Sequence, residues 1–384
     1  MNAILTAQST ATDPRAAARE IYAGIAQPDT TLVLFFCSSH YDRDSLADEI
    51  NRQFGTIPVI GCTTAGEIGP LGYLDHSLVG VSFPAATCTA VTDRIGDLQR
   101  FAFSDGFDVA QALRQRLTDS APAADTSNSF ALLLVDGLSF REEPVTRALQ
   151  NGLGDLTLIG GSAGDDLKFE HSWVFHQGAF HRDSALLALV STRLPFQVFK
   201  TQHFISLEER LVVTDADPEC RRVREINNLP AAEEYARIVG VVRADLDPAH
   251  FAASPVVVLI DGTDYVRSIQ KVEADGSLVF YCAIEEGMVL RVAHGVDLES
   301  DLEHTLARLR CQLGPPQLML ACDCILRNLE VTERGTKARV AAIFQRHNAV
   351  GFSTYGEQYG GVHVNQTLTG IAIGAENRAK PNRK

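Results

Sequence analysis

The chain has 384 residues, of which 45% are hydrophobic and 21% are charged. Its 34 Lys and Arg residues against 48 Asp and Glu residues give a net charge of −14, which argues against a nucleic-acid-binding protein. The length predicts two domains, and the apolar fraction excludes a disordered or fibrous chain. No apolar run approaches the roughly 20 residues of a membrane span, and the N-terminus has no signal-peptide pattern. Because the eight cysteines are scattered, the sequence predicts a soluble, reduced, cytoplasmic protein.

The first half of the chain alternates predicted helices and strands. A helix is predicted to begin at Thr12-Asp13-Pro14, where an acidic cap precedes a proline. The apolar run 32–36, the helical pattern 44–54 and the strand 59–60 follow, an order typical of a parallel β-α-β unit. Two strands, over 78–83 and 87–91, are predicted to pair with each other in antiparallel fashion. The remaining predicted elements of this half are helices over 107–117 and 143–150 and strands over 130–135, 156–159, 173–175 and 185–190.

The segment Arg193-Leu-Pro195 is the predicted domain boundary, because the pattern of strands restarts after it. A helix is predicted after Pro230 and an amphipathic helix over 298–313. The predicted fold class is mixed α+β, with two β-sheet domains flanked by helices whose sheets can stack face to face. The predicted division is an N-terminal helix region over 1–29, a first domain over 30–194, a second domain over 195–374 and a disordered tail over 375–384. No short-period repeat is visible.

Two glycine-rich segments follow predicted strands. The first, Gly61 to Gly66, has the spacing of the start of a phosphate loop, but Glu67 follows where such a loop needs lysine. A tight turn in which Gly66 takes a backbone conformation unfavourable for other residues is therefore predicted. Cys62 as a nucleophile is the alternative. The second segment, 160–166, ends in two aspartates and predicts a turn that lines a pocket.

Three other features carry possible chemistry. Cys322 and Cys324 lack the second ligand pair of a zinc or iron–sulfur site and are interpreted as small buried hydrophobic residues. His203 lies in an amphipathic strand next to the predicted boundary, where ligand pockets often form, and a purely structural histidine is the alternative. The polar cluster from Tyr355 to Thr367 lies between two apolar strands and is either a structural hydrogen-bond network or a recognition surface.

Five ordered segments resemble the FIST sensory domain, an N-terminal half followed by a C-terminal half; they are 59–67, 159–166, 322–327, 355–357 and 363–367. A narrower set is similar to the stand-alone bacterial FIST proteins of the nitric-oxide-sensing (NosP) type; it comprises 200–204, 212–218, 223–227, 265–271 and 280–284. The resemblance implies a sensor without catalytic activity that binds haem b and nitric oxide. Such a sensor controls a histidine kinase, or a diguanylate cyclase or phosphodiesterase, by contact, and a homo-oligomer is compatible with this role.

Haem requires an imidazole on iron, an apolar wall and cationic groups for the propionates. We expect His203 to be the axial ligand, Lys200 and Arg210 to lie near the propionates, and Phe204 to form the wall. The candidate pocket or structural network consists of Gly161, Asp165, Cys322, Glu357, His363 and Asn365. One alternative function is a metal-free sensor of amino-acid-like metabolites that uses this pocket. The other is a thiol enzyme that uses Cys62 or Cys322.

Overall fold

The computed structural model describes residues 3–260 and 262–375. The predicted tail therefore lies outside the described residues, except for Ala375. Three units of the same element order follow one another along the chain. Each consists of an edge strand, a helix, a strand, a helical segment, a parallel strand, a hairpin and a returning strand.

The first two units run without interruption. The first contains β1 (Leu5–Ser9), α1 (Pro14–Ile25), β2 (Thr30–Ser38), α2 (Arg43–Phe54), β3 (Val59–Thr64), β4 (Glu67–Gly69), β5 (Gly72–Leu74) and β6 (Leu78–Pro84). The second contains β7 (Cys88–Gly96), α3 (Phe103–Ser120), β8 (Ser129–Asp136), α4 (Glu142–Leu153), β9 (Leu158–Ala163), β10 (Val174–His176), β11 (Ala179–His181) and β12 (Ser184–Thr192). The predicted cap of the first helix is confirmed, because the Asp13 carboxylate accepts a hydrogen bond from the backbone N–H of Ala16.

The third unit is interrupted after its first strand, β13 (Phe196–Thr201), by a segment that we call the insert. The insert contains β14 (Phe204–Asp217), β15 (Arg222–Ile226), β16 (Leu229–Pro230), α5 (Ala231–Val239), α6 (Pro248–Ala253), β17 (Val256–Ile260), β18 (Thr263–Arg267), β19 (Ile269–Val272), β20 (Leu278–Phe280) and β21 (Val289–Gly295). The unit then resumes with α7 (Leu298–Leu313), β22 (Leu318–Cys324), α8 (Ile325–Glu333), α9 (Lys337–Arg346), β23 (Ala349–Thr354), β24 (Glu357–Tyr359), β25 (Val362–Val364) and β26 (Leu368–Ile373).

Each unit builds a six-stranded sheet, and each sheet ends in a hairpin donated by another unit. The sheet orders are β1-β6-β2-β3-β10-β11, β7-β12-β8-β9-β24-β25 and β13-β26-β22-β23-β4-β5. The hairpin of the first unit thus joins the third sheet, that of the second joins the first, and that of the third joins the second. This cyclic exchange gives the core a pseudo-threefold arrangement. We call the three units together the core.

The inner faces of the three sheets form one shared hydrophobic core. Phe36 of the first unit stacks on Phe352 of the third, with ring centroids 4.4 Å apart, and Leu134 of the second unit joins the same cluster. The outer faces are covered by helices, for example by Ile21 of α1 and Leu113 of α3. The insert has a hydrophobic core of its own. Among the described residues, none of the helices combines the length and the apolarity needed to cross a bilayer.

The mixed α/β architecture predicted from the sequence is confirmed, as is the parallel pairing of β2 with β3. The predicted pairing of the strands around 78–83 and 87–91 is wrong, because β6 and β7 lie in different sheets. The predicted boundary at Pro195 lies between the second and third units. Gly66 has φ +126°, the left-handed region that favours glycine, as the tight-turn interpretation predicts.

Candidate functional site

The structure places His203 in a closed hydrogen-bond network. Its imidazole is fully buried, with Nε2 2.9 Å from a carboxylate oxygen of Glu330 and Nδ1 3.0 Å from Nη1 of Arg327. Burial lowers the pKa of His203, and the Arg327 charge adds to this effect while the Glu330 hydrogen bond opposes it. A neutral ring satisfies both contacts, with Nδ1 accepting from Arg327 and Nε2–H donating to Glu330. In this arrangement neither nitrogen is available to iron, so His203 does not fit the expected role of axial ligand.

The other residues expected around haem are not gathered about one cavity. Lys200 donates to the backbone carbonyl of Asp264 over 2.8 Å, and burial lowers its pKa to about 8. Phe204 packs against the His203 ring, with centroids 4.2 Å apart. Arg210 lies exposed further along β14. Lys200 and Phe204 therefore make local structural contacts, and Arg210 lies six residues beyond Phe204 on the same strand.

Gly161 and Cys322 lie at the centre of the core. A Cβ atom on Gly161 would lie 2.6 Å from Thr354 Cγ2, 2.7 Å from the Phe352 ring and 3.3 Å from the Cys322 Cβ, so the missing side chain makes room for the Thr354 methyl group and the aromatic ring. Burial raises the pKa of Cys322 and of Cys62 well above that of a free thiol. Both thiols are fully buried. A thiol held in this state is a poor nucleophile at neutral pH, which weakens the thiol-enzyme alternative.

Asp165 and Glu357 belong to satisfied hydrogen-bond networks. Asp165 accepts from three successive backbone N–H groups, of Phe169, Glu170 and His171, at 2.7–2.9 Å and from the Tyr355 hydroxyl at 2.5 Å. Glu357 contacts the Thr354 hydroxyl and accepts from the backbone N–H and hydroxyl of Thr367 at 3.2 and 2.7 Å. These carboxyl groups hold turns in place and leave few contacts for a ligand.

Glu357 has a counterpart in the first unit, 290 positions earlier. Glu67 contacts Thr64 and accepts from the backbone N–H and hydroxyl of Ser77 at 2.9 and 2.8 Å. Burial raises the pKa of both glutamates to about 8, and the hydrogen bonds from the threonine and serine partners only partly oppose it. The repetition of a buried glutamate with the same partners indicates a structural role for Glu357.

His363 and Asn365, in contrast, retain unpartnered polar atoms. His363 Nδ1 lies 3.2 Å from Nε2 of Gln358, but Nε2 of His363 has no hydrogen-bond partner, and neither has Asn365 Oδ1. Burial lowers the pKa of His363 to about 4, so its imidazole is neutral at pH 7. Buried polar atoms without partners are rare in folded proteins and commonly mark places where water or a ligand binds.

His363 lies on a cavity of about 740 Å³ between the core and the insert, which we call the cleft. The core contributes the segment after β8, the start of α4 and the β24–β25 turn, and the insert contributes β18 and the turn after β14. The lining residues used below are Leu138, Phe140, Glu143, Arg221, Arg267 and His363. A smaller cavity beside it shares Leu138, Phe140 and Arg221 and has an aromatic wall that includes Phe169 and Tyr355.

An ion-pair network joins the two sides of the cleft. Arg221 of the insert reaches Glu142 at 2.5 Å and Glu143 at 3.3 Å, both at the start of α4, and donates to the Tyr281 carbonyl at 2.6 Å. Burial raises the pKa of Glu142 to about 7, although Arg221 opposes the shift. Burial also acts to raise the pKa of Glu143, but the charge that His363 acquires on protonation at low pH and the permanent charge of Arg221 outweigh it and lower the pKa.

Arg267 completes the polar wall. Its Nη1 group donates to the backbone carbonyl of His363, while its Nε–H, also buried, has no partner. Because Nδ1 of His363 accepts from the Gln358 amide, the neutral ring carries its hydrogen on Nε2, so two buried donors without partners, Arg267 Nε–H and His363 Nε2–H, belong to residues that line one cavity. Phe140 and Phe169 nearby are 59% and 48% exposed and have positive φ angles, a strained backbone more typical of functional sites than of ordinary surface.

The sequence pointed to His363 and Asn365 but not to Arg221, Arg267, Glu142 or Phe140. The two arginines lie far along the chain from α4, and single arginines in short strands give no pattern. The adjacent pair Glu142-Glu143 at a helix start was the one available signal, since two neighbouring carboxylates partly buried at the same site need a cationic partner.

The fold and cleft together define a two-part mixed α/β protein, a pseudo-threefold core with a β-sheet insert and a charged cleft between them. The chain belongs to the FIST family: the FIST N domain model matches residues 31–229 and the FIST C domain model matches residues 231–360. FIST domains are sensory domains, so family membership assigns the chain a sensor role in signal transduction.

Comparison with individual proteins adds little about function. An uncharacterised protein of Methanocaldococcus jannaschii, MJ1623, is 22% identical over 296 residues, which cover 72% of this chain and 57% of that protein. The chain thus spans little more than half the length of this curated relative. Two solved structures of cyanuric acid hydrolase, one of them from A. caulinodans, align over 97% and 98% of the chain at 11% and 9% identity. Their TM-score is 0.38 in both cases.

Proposed function

We propose that this protein is a sensor that binds a small polar metabolite in the cleft between the core and the insert. The observation that carries the proposal is the pair of buried, unpartnered groups, Arg267 Nε–H and a ring nitrogen of His363, on residues that line the same cavity. Leaving such groups unpaired costs about 1–3 kcal/mol each, and a ligand that pairs them recovers this energy as binding.

The chemistry of the lining favours an amino-acid-like ligand. Arg267 presents an N–H donor suited to a carboxylate oxygen, and Glu143, which lines the cleft and shares Arg221 with Glu142, offers a carboxylate to an ammonium group. The apolar surfaces of Leu138 and Phe140 are available to a side chain. A ligand with both charges and a modest apolar part matches all three surfaces.

Arg221 supplies a route from the cleft to the protein surface. It ties the insert to α4 of the core through ion pairs beside the cavity. A ligand that competes for Glu142 or Glu143 weakens the ion pairs between Arg221 and these carboxylates. The ligand therefore interacts differently with the conformation in which these ion pairs are formed and with one in which they are broken, and only such a difference shifts a conformational equilibrium. We propose that a histidine kinase, or a diguanylate cyclase or phosphodiesterase, reads the resulting change in the position of the insert by contact.

The test is isothermal titration calorimetry of the purified full chain with the twenty common L-amino acids and their amine and carboxylate analogues. We expect at least one compound to bind stoichiometrically. Arg267→Lys and His363→Asn should each lower the affinity for that compound about tenfold or more, since one lost charge-assisted hydrogen bond is worth about 1.5–3 kcal/mol. Arg210→Lys, a matched change at an exposed position of the insert, should bind as the unaltered protein does. Equal binding by all three variants would place the ligand elsewhere.

A nitric-oxide-sensing haem protein is the second candidate function, and His363 rather than His203 supports it. His363 has a neutral ring, its Nε2 has no hydrogen-bond partner, and both it and Arg267 are residues that line the cleft. A flip of the Gln358 amide, whose Oε1 is also unpartnered, would let Nδ1 carry the ring hydrogen and leave the Nε2 lone pair for iron. Against haem, the cleft is rich in charged groups, whereas haem prefers an apolar slot. Titration with ferric haem, followed by reduction and nitric oxide, separates the candidates. A stoichiometric Soret band lost in His363→Ala but kept in His203→Ala supports haem, and no saturable band leaves the metabolite sensor.

A further inference from the structure

A second cluster of polar side chains consists of residues that do not line the cleft. His40, after β2, and His76, before β6, belong to the first unit, and Asp166, after β9, belongs to the second. One potential ligand atom from each residue lies within 4.8 Å of the other two. The two imidazole rings are in contact, with centroids 4.0 Å apart, and His40 Nδ1 is 3.1 Å from Asp166 Oδ2.

The carboxylate is already oriented as a metal ligand would be. Asp166 Oδ2 accepts from the Ser38 hydroxyl at 2.9 Å, from the Ser39 N–H at 2.9 Å and from the Ser39 hydroxyl at 2.6 Å. Every side-chain hydrogen bond of Asp166 within the described part of the chain reaches this one oxygen, which leaves Oδ1 without one. Such outer hydrogen bonds fix the orientation of carboxylates in metal sites. The Ser38 hydroxyl also lies 3.2 Å from Nδ1 of His40 and 3.5 Å from Nδ1 of His76, so a bound cation would replace these contacts.

The repeat shows that this arrangement is specific to the second unit. By strand register, Asp166 occupies the position that Glu67 and Glu357 hold in the other units. Those glutamates are buried and bonded within their own units, whereas the shorter Asp166 is turned towards the histidines of a neighbouring unit. A position that has one conformation in two copies and another in the third indicates a role other than holding the fold.

We propose that His40, His76 and Asp166 form a binding site for a first-row divalent transition metal, with Zn²⁺ as the best-fitting ion. Two imidazoles and one carboxylate are a donor set that suits zinc and its neighbours but not Mg²⁺ or Ca²⁺. Zinc–ligand distances of about 2.0–2.2 Å require ligand atoms roughly 3.3–3.5 Å apart, so side-chain shifts of about an ångström close the site. Three protein ligands leave a fourth position for water or a small anion.

Charge and exposure at the site are compatible with metal entry. His40 and His76 are both exposed, and Asp166 is partly buried. Lys168 is a nearby cation and donates to the Ser39 hydroxyl over 3.1 Å. The metal would tie the first unit to the segment after Asp166, which carries Phe169, a residue of the smaller cavity beside the cleft. Metal occupancy would in this way affect one wall of that smaller cavity.

The test is titration of the chelator-treated full chain with Co²⁺, whose visible absorption reports coordination by nitrogen and oxygen, followed by displacement with Zn²⁺. We expect one equivalent to bind, and His40→Gln, His76→Asn and Asp166→Asn each to weaken binding about tenfold or more. His76 has a backbone φ of 59°, which asparagine tolerates better than most residues, so asparagine is the replacement chosen at this position. His294→Gln removes an exposed histidine elsewhere and should leave the titration unchanged.

Circular dichroism of each variant separates loss of the site from loss of the fold, and the three substitutions provide independent tests. The proposal would be overturned if the three ligand variants bound Co²⁺ with the same affinity as the unaltered protein and His294→Gln. Co²⁺ binding without a change in visible absorption would also overturn it. The outcome is independent of the proposed cleft ligand, because His363→Asn should leave metal binding intact. Weakened metal binding in His363→Asn alone would likewise overturn the assignment.

Discussion

Replacing Glu67 by glutamine should make the stability of this protein less dependent on pH. Burial raises the pKa of Glu67 from 4.5 to about 8. Between these values the folded protein holds a proton that the unfolded chain has released, so stability is greatest below the unfolded pKa and falls as pH rises towards the folded pKa. The slope is about 1.4 kcal/mol per pH unit, or about 2 kcal/mol between about pH 6 and about pH 7.5.

The hydrogen bonds explain why glutamine is the suitable replacement. The Thr64 hydroxyl lies 3.2 Å from the Cys37 carbonyl, to which it donates, and it also contacts Glu67. Since a hydroxyl donates only one hydrogen, a protonated Glu67 supplies the second by donating to Thr64. A glutamine amide can donate to Thr64 in the same way while its oxygen accepts from Ser77. The variant should therefore mimic the protonated residue and keep the fold.

The assay is urea unfolding of the full chain at several pH values, with the free energy of unfolding plotted against pH. Glu357→Gln, in the equivalent position of the third unit, should remove the same slope, and Glu286→Gln, at an exposed site, should remove none. Identical slopes for the unaltered protein and both buried-site variants would refute the reasoning. A stability loss in Glu67→Gln that is the same at every pH would show that the carboxyl is ionised in the folded state.

Three further outcomes are expected. Gly161→Ala should destabilise the protein by about 1–3 kcal/mol, because the new methyl would lie 2.6 Å from Thr354 Cγ2 and 2.7 Å from the Phe352 ring. Adding Phe352→Leu and Thr354→Ser together should recover part of this loss relative to the same double change in a Gly161 background, and no recovery would contradict the packing account. Arg221→Met should cost about 3–5 kcal/mol in urea unfolding by leaving buried carboxylates unpaired, and a cost under about 1 kcal/mol would show that the pair is solvated. Ellman's reagent should label Cys311 and Cys220 in the folded chain, Cys220 more slowly because a hydrogen bond to a neighbouring aspartate raises its pKa, and rapid labelling of further thiols would contradict the described burial.

Local features of the fold were predictable from the sequence, and pairings between distant segments were not. The Asp13 cap, the β2–α2–β3 unit and the helix after Pro230 depend on neighbouring residues and follow the pattern. The hairpin exchange depends on contacts such as the pairing of Glu67 with Phe352, across most of the chain length. Hydrophobic periodicity reports which face of a strand is buried and carries no information about its partner.

The repeat itself leaves a faint trace in the sequence. Gly61-Cys-Thr-Thr-Ala-Gly-Glu67 and Gly351-Phe-Ser-Thr-Tyr-Gly-Glu357 share four identical positions at identical spacing. The second unit, with Gly160-Gly-Ser-Ala-Gly-Asp-Asp166, keeps only the first glycine in place, so two related copies among three do not stand out. That first glycine is required in each copy because a Cβ atom there would lie 1.7–2.4 Å from a carbonyl oxygen of the adjacent strand.

Comparison of the three units distinguishes residues that maintain the fold from residues available for function, in a way that burial alone does not. Glu67 and Glu357 are as buried and as perturbed in pKa as many catalytic groups, yet their repetition with matched partners shows that they are structural. Asp166 departs from them at the equivalent position and faces two histidines. One side of the cleft is likewise formed by the insert, which the other two units lack. A feature confined to one copy is not required by the strand arrangement that all three copies share, so such features are the places in which to look for binding.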